Sequence, residues 1–252
     1  MKKCVILTMT VFLTILANGQ NLKSVDYFTE LGKSDLSKLW CADSIRVDEN
    51  GEKTAFPEPL GYIGDNFQRF YIHFTSIEKS KEDPYIYKVI GKTKVKNNIC
   101  CFTGTILLLQ KRLYKKSESP NFKQGYVVCK VSLYEDSTQN SSGFINGLLT
   151  SNFCIDRKGE LSYDALTISA DSYSNNQCKA TWTSYKTRKS KKCNWGDFRM
   201  PDSEELDGGS GIVVIYEKYK EFGWKTFIDA DSSDENIAKK ASEIEERKWW
   251  NE

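Results

Sequence analysis

Apolar and polar residues alternate with a period of two through most of the middle of the chain. Near 125–135, apolar side chains at odd-numbered positions alternate with Lys130, Ser132 and Tyr134. This pattern predicts β-strands that bury one face and expose the other. Turn residues separate such runs, which we place near 38–47, 67–78, 85–92, 99–110, 125–135, 143–156, 161–168 and 177–187.

No helical apolar spacing falls between these strands, so the crossover helices that a parallel sheet needs are not predicted. All five prolines lie outside the predicted strands, as hydrogen bonding within a sheet requires. We therefore predict a mainly β protein with an antiparallel up-and-down β-barrel of about eight strands. A β-sandwich is the alternative.

The chain changes character after Thr187, where charged residues and glycines replace the alternating pattern. We predict that the barrel covers 38–187. A lead-in over 20–37 precedes it, and a loop-rich C-terminal extension over 188–252 follows it.

Two elements are predicted within this extension. A short apolar run near 211–216 predicts a strand, and a terminal α-helix follows. Ser232 is placed to cap the helix, with Glu235 three residues later completing a capping box. We expect Trp249 and Trp250 to dock the end of the helix onto the barrel.

Residues 1–19 have the basic start, apolar centre and small final residues of a cleavable secretory signal peptide. We expect cleavage between Gly19 and Gln20. The apolar stretch is too short for a membrane anchor, which needs about 20 residues, and no later segment is apolar for long enough. We expect an exported protein of the periplasm, the outer cell surface or the extracellular space, without a transmembrane segment in the mature chain.

Removal of the signal changes the charge and the cysteine count. Lys2 and Lys3 are the only charged residues in 1–19, so the formal net charge falls from +2 to zero. A neutral chain argues against nucleic acid as a partner, because phosphate binding needs a basic excess. An odd number of cysteines stays, and we expect at most about two disulfides among them. They are Cys41, Cys100, Cys101, Cys129, Cys154, Cys178 and Cys193.

No catalytic residue is predicted. His73 is the only histidine, it lies on the polar face of a predicted strand, and no Gly-x-Ser-x-Gly motif presents a serine. Paired carboxylates could support glycoside hydrolysis without histidine, but no spacing singles out two of the acids. With one histidine and no repeated CxxC motif, a zinc site is not expected either. We expect no cofactor.

An acidic segment beside two glycines indicates a candidate cation site. Asp202, Glu204 and Asp207 precede Gly208 and Gly209. Calcium takes several oxygen ligands from a flexible loop, so these three acids are the candidate ligands. A solvated loop is the alternative, since the EF-hand spacing is absent.

Aromatic and basic residues near the end of the predicted barrel indicate a ligand site. Phe, Trp and Tyr make up 13% of the chain, and aromatic side chains in a barrel either fill its interior or line a ligand cavity. We take Trp182, Tyr185 and Trp195 as candidate ligand-binding residues. The basic run from Lys186 to Lys192 could hold an anionic glycan or a lipid headgroup; a solvated hairpin end is the alternative.

Three segments resemble uncharacterised exported proteins of Bacteroides-type bacteria. They are YIGDNFQRFYI at 62–72, GKTKVK at 91–96 and CNWGDFRMP at 193–201. The resemblance covers most of the mature chain and implies no activity, substrate or catalytic residue. The predicted barrel is also similar to the calycin (lipocalin-type) architecture, which implies a fold but not a function.

Two functions follow as hypotheses. The first is an exported, non-catalytic protein whose β-barrel binds a small ligand, a glycan or an envelope protein. The alternative is a carboxylate-driven hydrolase that acts on glycan or peptide, which needs two carboxylates roughly 5–10 Å apart in one cleft.

Overall fold

A computed structural model describes residues 23–29, 34–48 and 50–252 of the protein. The predicted signal peptide over 1–19, with its cleavage between Gly19 and Gln20, lies outside these residues. The described chain is mainly β, as predicted. Its strands are β1 (Ser24–Asp26), β2 (Ser44–Arg46), β3 (Lys53–Ala55), β4 (Leu60–Ile63), β5 (Gln68–Arg69), β6 (Tyr71–Lys79), β7 (Ile86–Val95), β8 (Asn98–Tyr114), β9 (Lys123–Glu135), β10 (Gly143–Ile155), β11 (Leu161–Tyr163), β12 (Asn175–Ser184) and β13 (Ser190–Asp197). Its α-helices are α1 (Lys225–Asp229) and α2 (Glu235–Glu245), and 3₁₀-helices lie at Ser37–Leu39, Glu217–Phe222 and Trp249–Asn251.

One large antiparallel sheet curls into a half-barrel, which confirms the predicted fold class. The order of neighbouring strands is β5-β4-β13-β12-β10-β9-β8-β7-β6, with β1 beside β8 and β11 beside β10. From β6 to β10 each strand pairs with the next one in the chain, which is the up-and-down order. Only β2 and β3 stand apart, as a separate hairpin.

The two edges of this sheet come together at Phe70. This residue alone separates β5, at one edge, from β6, at the other. Its backbone N–H donates to the carbonyl oxygen of Gly61 in β4 at 2.9 Å. A Cβ on Gly61 would lie 2.8 Å from the Phe70 carbonyl oxygen, so only glycine permits this close approach.

The apolar side chains of the alternating pattern fill the interior of the half-barrel. Val127, Cys129, Val131 and Leu133 of β9 are fully buried, whereas Tyr134 on the opposite face is 52% exposed. A second apolar cluster lies under the C-terminal segment. It consists of Tyr62, Phe67, Met200, Leu206, Val213, Ile215, Tyr219 and Trp224.

The terminal helix forms as predicted but with a different cap. The carboxylate of Asp234, not the hydroxyl of Ser232, accepts hydrogen bonds from two backbone N–H groups of the first turn. Glu235 is therefore the first residue of α2 and not the third residue of a capping box. Beyond the helix, Trp249 and Trp250 pack against ring side chains of β6, so the expected docking is confirmed.

The start of the barrel differs from the prediction. The segment near 38–47 forms no strand of the main sheet. From β4 onwards, every strand of the described chain belongs to this sheet. Leu36, Leu39 and Trp40 are buried at spacings of three and one, a helical pattern that accounts for the 3₁₀-helix there. In the predicted lead-in over 20–37, β1 pairs with β8.

The end of the barrel lies beyond the predicted boundary at 187. Strand β13 completes the sheet by pairing with β12 on one side and β4 on the other. It begins with three exposed residues, Ser190, Lys191 and Lys192, and then buries every residue from Cys193 to Asp197. The alternation of apolar and polar residues does not predict this strand, because the consecutive exposed lysines break the period of two.

The strand predicted near 211–216 does not form, apart from a single bridge between Asp207 and Ile215. Side chains form hydrogen bonds with the backbone groups that would otherwise pair with a neighbouring strand. The Asp207 carboxylate accepts from the N–H groups of Gly209 and Val214, and the Arg199 guanidinium donates to three carbonyl groups of the same loop.

Candidate ligand-binding site at the mouth of the half-barrel

Four turns lie at one end of the half-barrel, which we call the mouth. They are residues 64–67, 96–97, 136–142 and 185–189, between β4 and β5, β7 and β8, β9 and β10, and β12 and β13. Successive strands run in opposite directions, so alternate turns share one end of the sheet. Lys96 and Ser141 adopt left-handed backbone angles, with φ of 54° and 57°, which tighten two of these turns.

A buried carboxylate organises the mouth. Glu135, at the end of β9, is 6% exposed. One oxygen accepts from the Thr93 hydroxyl at 2.5 Å. The other accepts from the Gly143 N–H at 2.7 Å and from the indole N–H of Trp182 at 2.9 Å. Glu135 therefore fixes the orientation of the Trp182 ring.

Trp182 separates two open cavities. The first, of about 570 Å³, lies over Glu135 and Thr93. The second, of about 720 Å³, lies along the turns 136–142 and 185–189. Both cavities are lined by Ser141, Trp182 and Lys191. One extended ligand could therefore occupy both and cross the indole.

Polar side chains outnumber apolar ones in the lining of both cavities. Hydroxyl and carboxamide groups that could bind a polyhydroxylated ligand come from Asn66, Gln68, Asn97, Asn98, Thr138, Gln139, Asn140, Ser141 and Thr187. Four lysines line the two cavities: Lys96, Lys186, Lys189 and Lys191. Among the described residues, Glu135 is the only acid that lines either cavity, so the mouth is electropositive and suits an anionic ligand.

Two of the three predicted ligand residues meet at the mouth. Trp182 lines both cavities and Tyr185 lines the second, where its ring packs on Phe144 with centroids 5.9 Å apart. Partial burial raises the pKa of the Tyr185 hydroxyl, and the Glu135 charge raises it further, so this group stays protonated and able to donate. Trp195 does not join them: it is 1% exposed and packs against Phe70 in the interior.

The candidate cation ligands do not come together. Asp202 pairs with Lys179 at 2.6 Å, and Asp207 pairs with Arg199 at 2.7 Å. Glu204 is exposed in the turn between them. Throughout the described ranges, no three His, Cys, Asp or Glu side chains are grouped so that they could hold a metal ion. Asp202 and Asp207 fix the loop by ion pairs instead.

Glu135 and Thr93 were not singled out from the sequence. An acid at the end of an alternating strand resembles a solvated turn residue, and its partners lie far away along the chain. The one available signal is the alternation itself, which places Glu135 in register with the buried odd-numbered residues of β9.

Comparison with known proteins adds no information about the fold or the function. No protein family model, curated protein or solved structure matches this chain. In the described part of the chain, no helix is long and apolar enough to cross a bilayer.

Proposed function

We propose that the protein is an exported, non-catalytic binding protein that holds an anionic glycan across Trp182 at the mouth of its half-barrel. The observation that carries the proposal is the pair of open cavities that share Trp182, Ser141 and Lys191. An indole held by a buried carboxylate offers a preorganised flat surface, which reduces the entropy lost on binding.

The charge of the mouth supports an acidic ligand over a neutral one. Lys96 and Lys191 line the cavity that Glu135 faces, while Lys186 and Lys189 line the second. The Glu135 carboxylate already accepts three hydrogen bonds from the protein, so its own charge is largely satisfied. Exposed lysines bind anions in a manner that salt weakens.

The test is calorimetric titration with polygalacturonic acid fragments and heparin fragments as anionic probes and with neutral dextran fragments for comparison. We expect the anionic probes to bind more tightly and to lose affinity as salt is raised. The double variant Lys96→Gln/Lys191→Gln should bind about two- to thirtyfold more weakly, since each exposed ion pair contributes ~0.2–1 kcal/mol.

Lys130→Gln is the matched control, because Lys130 is an exposed lysine of β9 that lines neither cavity. Its affinity should equal that of the wild type. Equal losses in the control and the double variant, or equal affinity for neutral and anionic probes, would count against the mouth as an anion site.

The hydrolase alternative finds less support at this site. It needs two carboxylates across one cleft, and Glu135 is the only acid that lines the mouth cavities among the described residues. Chromatography of the anionic probes after prolonged incubation decides the matter: intact chains support a binding protein, and shortened chains a hydrolase.

Export is tested separately. The signal peptide expected over 1–19 should be absent from protein recovered outside the cytoplasm, and the first residue found by N-terminal sequencing should be Gln20. A chain that stays in the cytoplasm and begins at Met1 contradicts this part of the proposal.

A further inference from the structure

Two buried oxygen atoms in the interior have no hydrogen-bond donor among the described residues. They are Oδ1 of Asp197, at the end of β13, and Oδ1 of Asn176, in β12. Asp197 is 0% exposed and Asn176 is 6% exposed. A buried acceptor without a donor costs about 1–3 kcal/mol, so a site with two of them calls for a donor.

The surrounding hydrogen bonds fix which atoms are left over. The Asn176 amide donates to the Leu39 carbonyl oxygen at 2.8 Å and to Oδ2 of Asp197 at 2.6 Å. The Tyr163 hydroxyl donates to the same Oδ2 at 3.0 Å. Because the Asn176 amide needs both hydrogens for these acceptors, its carbonyl oxygen must be the atom that points elsewhere.

The backbone holds this arrangement in place. The pairing of β12 with β13 changes register between Asn175 and Cys178, which marks a β-bulge. Within the bulge Asn176 adopts a left-handed conformation with φ of 47°, which asparagine tolerates better than most residues. The bulge turns the Asn176 side chain towards Asp197.

Both residues line a small internal cavity of about 10 Å³, which is room for one group the size of a water molecule. The other lining residues are mostly aromatic: Trp40, Phe56, Pro59, Phe74, Leu149 and Trp195. Aromatic faces attract cations in dry surroundings. The cavity therefore joins two hydrogen-bond acceptors, one of them a carboxylate, to an aromatic wall.

A wide surface hollow of about 760 Å³, which we call the basin, lies against this cavity. The two share Trp40, Phe56, Pro59 and Phe74 as a common wall. Three acids line the basin, namely Asp43, Glu58 and Glu246, against one lysine, Lys248, and one histidine, His73. Its charge favours a cation, and the four shared side chains are all that the lining residues place between the basin and the cavity at Asp197.

We infer that the cavity between Asp197 and Asn176 binds a protonated amine, which donates N–H hydrogen bonds to both free oxygens. An ammonium group matches the size of the cavity, supplies several donors and gains from the aromatic wall. Two oxygens are too few for calcium, which takes six to eight oxygen ligands. A quaternary ammonium has no N–H to donate. The amine is either the free ammonium ion or the head of a primary amine whose tail lies in the basin.

The ionisation of Asp197 should be coupled to binding of the amine. Burial raises its pKa to about 7, against the hydrogen bonds from Tyr163 and Asn176, and the charge of Glu58 adds to the rise. A cation beside the carboxylate would favour its ionised form, so binding below neutral pH releases a proton from Asp197.

The direct test is NMR of the full chain in ¹⁵N-ammonium chloride at pH 8. We expect a bound ammonium signal with cross-relaxation to ring protons of Trp40, Phe74 and Trp195. Thermal unfolding is then followed in ammonium, n-butylammonium, tetramethylammonium and sodium chlorides at equal ionic strength. Ammonium or n-butylammonium should raise the Tm above its value in the other two salts.

The isosteric variant Asp197→Asn should lose affinity for the amine by at least about tenfold, since it removes a buried charge partner. Stronger stabilisation by n-butylammonium than by ammonium identifies a primary amine seated from the basin, and the reverse identifies the free ion. Equal Tm values in all four salts, with no cross-relaxation in the wild type, would show that only water enters the cavity and would overturn the inference. An unaltered response in Asp197→Asn would overturn it equally.

Discussion

The imidazole ring of His73 lies flat on the indole of Trp250, with ring centroids 3.8 Å apart and an interplanar angle of 8°. Two residues earlier on the same face of β6, Tyr71 contacts Trp249 at 5.8 Å. Two alternate residues of β6 thus contact two successive tryptophans near the end of the chain. The single histidine acts as a docking surface, and its Nδ1 forms a hydrogen bond with the Glu58 carboxylate at 3.0 Å.

Removal of this stacking should loosen the chain end. Trp250→Ala is expected to lower the free energy of unfolding by about 2 kcal/mol, since a stacked aromatic pair contributes up to ~1.5 kcal/mol beyond its buried area. Urea denaturation measures the change. Trp250→Phe keeps a flat ring on His73 and should recover most of the loss; if it is as unstable as the alanine variant, the stacking is not what holds the terminus.

A buried ion pair fixes α2 to the sheet. The Arg69 guanidinium is 5% exposed and donates to both oxygens of Glu245, at 2.8 and 2.5 Å. Glu245→Gln leaves this cation without its partner charge and should destabilise the fold by about 3 kcal/mol. Thermal unfolding is the measurement. Glu243→Gln changes an exposed acid of the same helix and should change little; similar losses in both variants would contradict the role of the pair.

The stability of the fold should depend on the ionisation of Asp197. Its pKa is about 7 in the folded protein and 3.8 is its ordinary value. The folded state therefore holds a proton that the unfolded chain releases, so stability falls as pH rises from about 4 to about 7. The difference amounts to roughly 4 kcal/mol at ~1.4 kcal/mol per pH unit.

Comparison with Asp197→Asn isolates this effect. Asp164 also has a pKa raised by burial and adds a loss of the same sign, but it is present in both proteins. In buffers without amines, the stability of the variant relative to the wild type should increase between pH 4 and pH 7. Parallel stability curves, measured by denaturant titration at each pH, would refute the prediction.

Thiol reactivity should be confined to one position. All seven cysteines of the described chain are free thiols, and only Cys101 is exposed. Burial raises the pKa of Cys41 and raises that of Cys100 to about 11, which suppresses their reactive thiolates. We expect one fast-reacting thiol among these seven with Ellman's reagent, lost in Cys101→Ser. A mass increase on reduction of the native protein would reveal a disulfide instead.

Local alternation was sufficient to predict the long hairpins. β9 buries its odd-numbered residues over many positions, and such a pattern has one structural solution. β13 could not be found in this way, because its last five residues, Cys193–Asp197, are all buried although Asn194 and Asp197 are polar. The Asn194 amide donates to the Tyr62 hydroxyl, and the Asp197 carboxylate accepts from the Tyr163 hydroxyl. A polar residue in this strand therefore does not mark an exposed face.

The site was predictable only where a single side chain carries the signal. Trp182 is conspicuous as a tryptophan on a strand near a basic run. Nothing in the local sequence distinguishes Glu135 and Asp197 from other acids. Glu135 accepts hydrogen bonds from Thr93 and Trp182, and Asp197 accepts one from Tyr163, all far away along the chain. Such long-range hydrogen bonds leave no local pattern.

The meeting of the sheet edges near Phe70 also sets the order in which the chain can fold. The strands from β6 to β10 join neighbours in sequence, and such local hairpins form quickly. β4 pairs with β13 instead, and the partners Ile63 and Cys193 are 130 positions apart. Closure of so long a loop is entropically costly. During vectorial synthesis, β4 must wait until Asp197 has emerged, so β13 is the strand whose pairing completes the half-barrel.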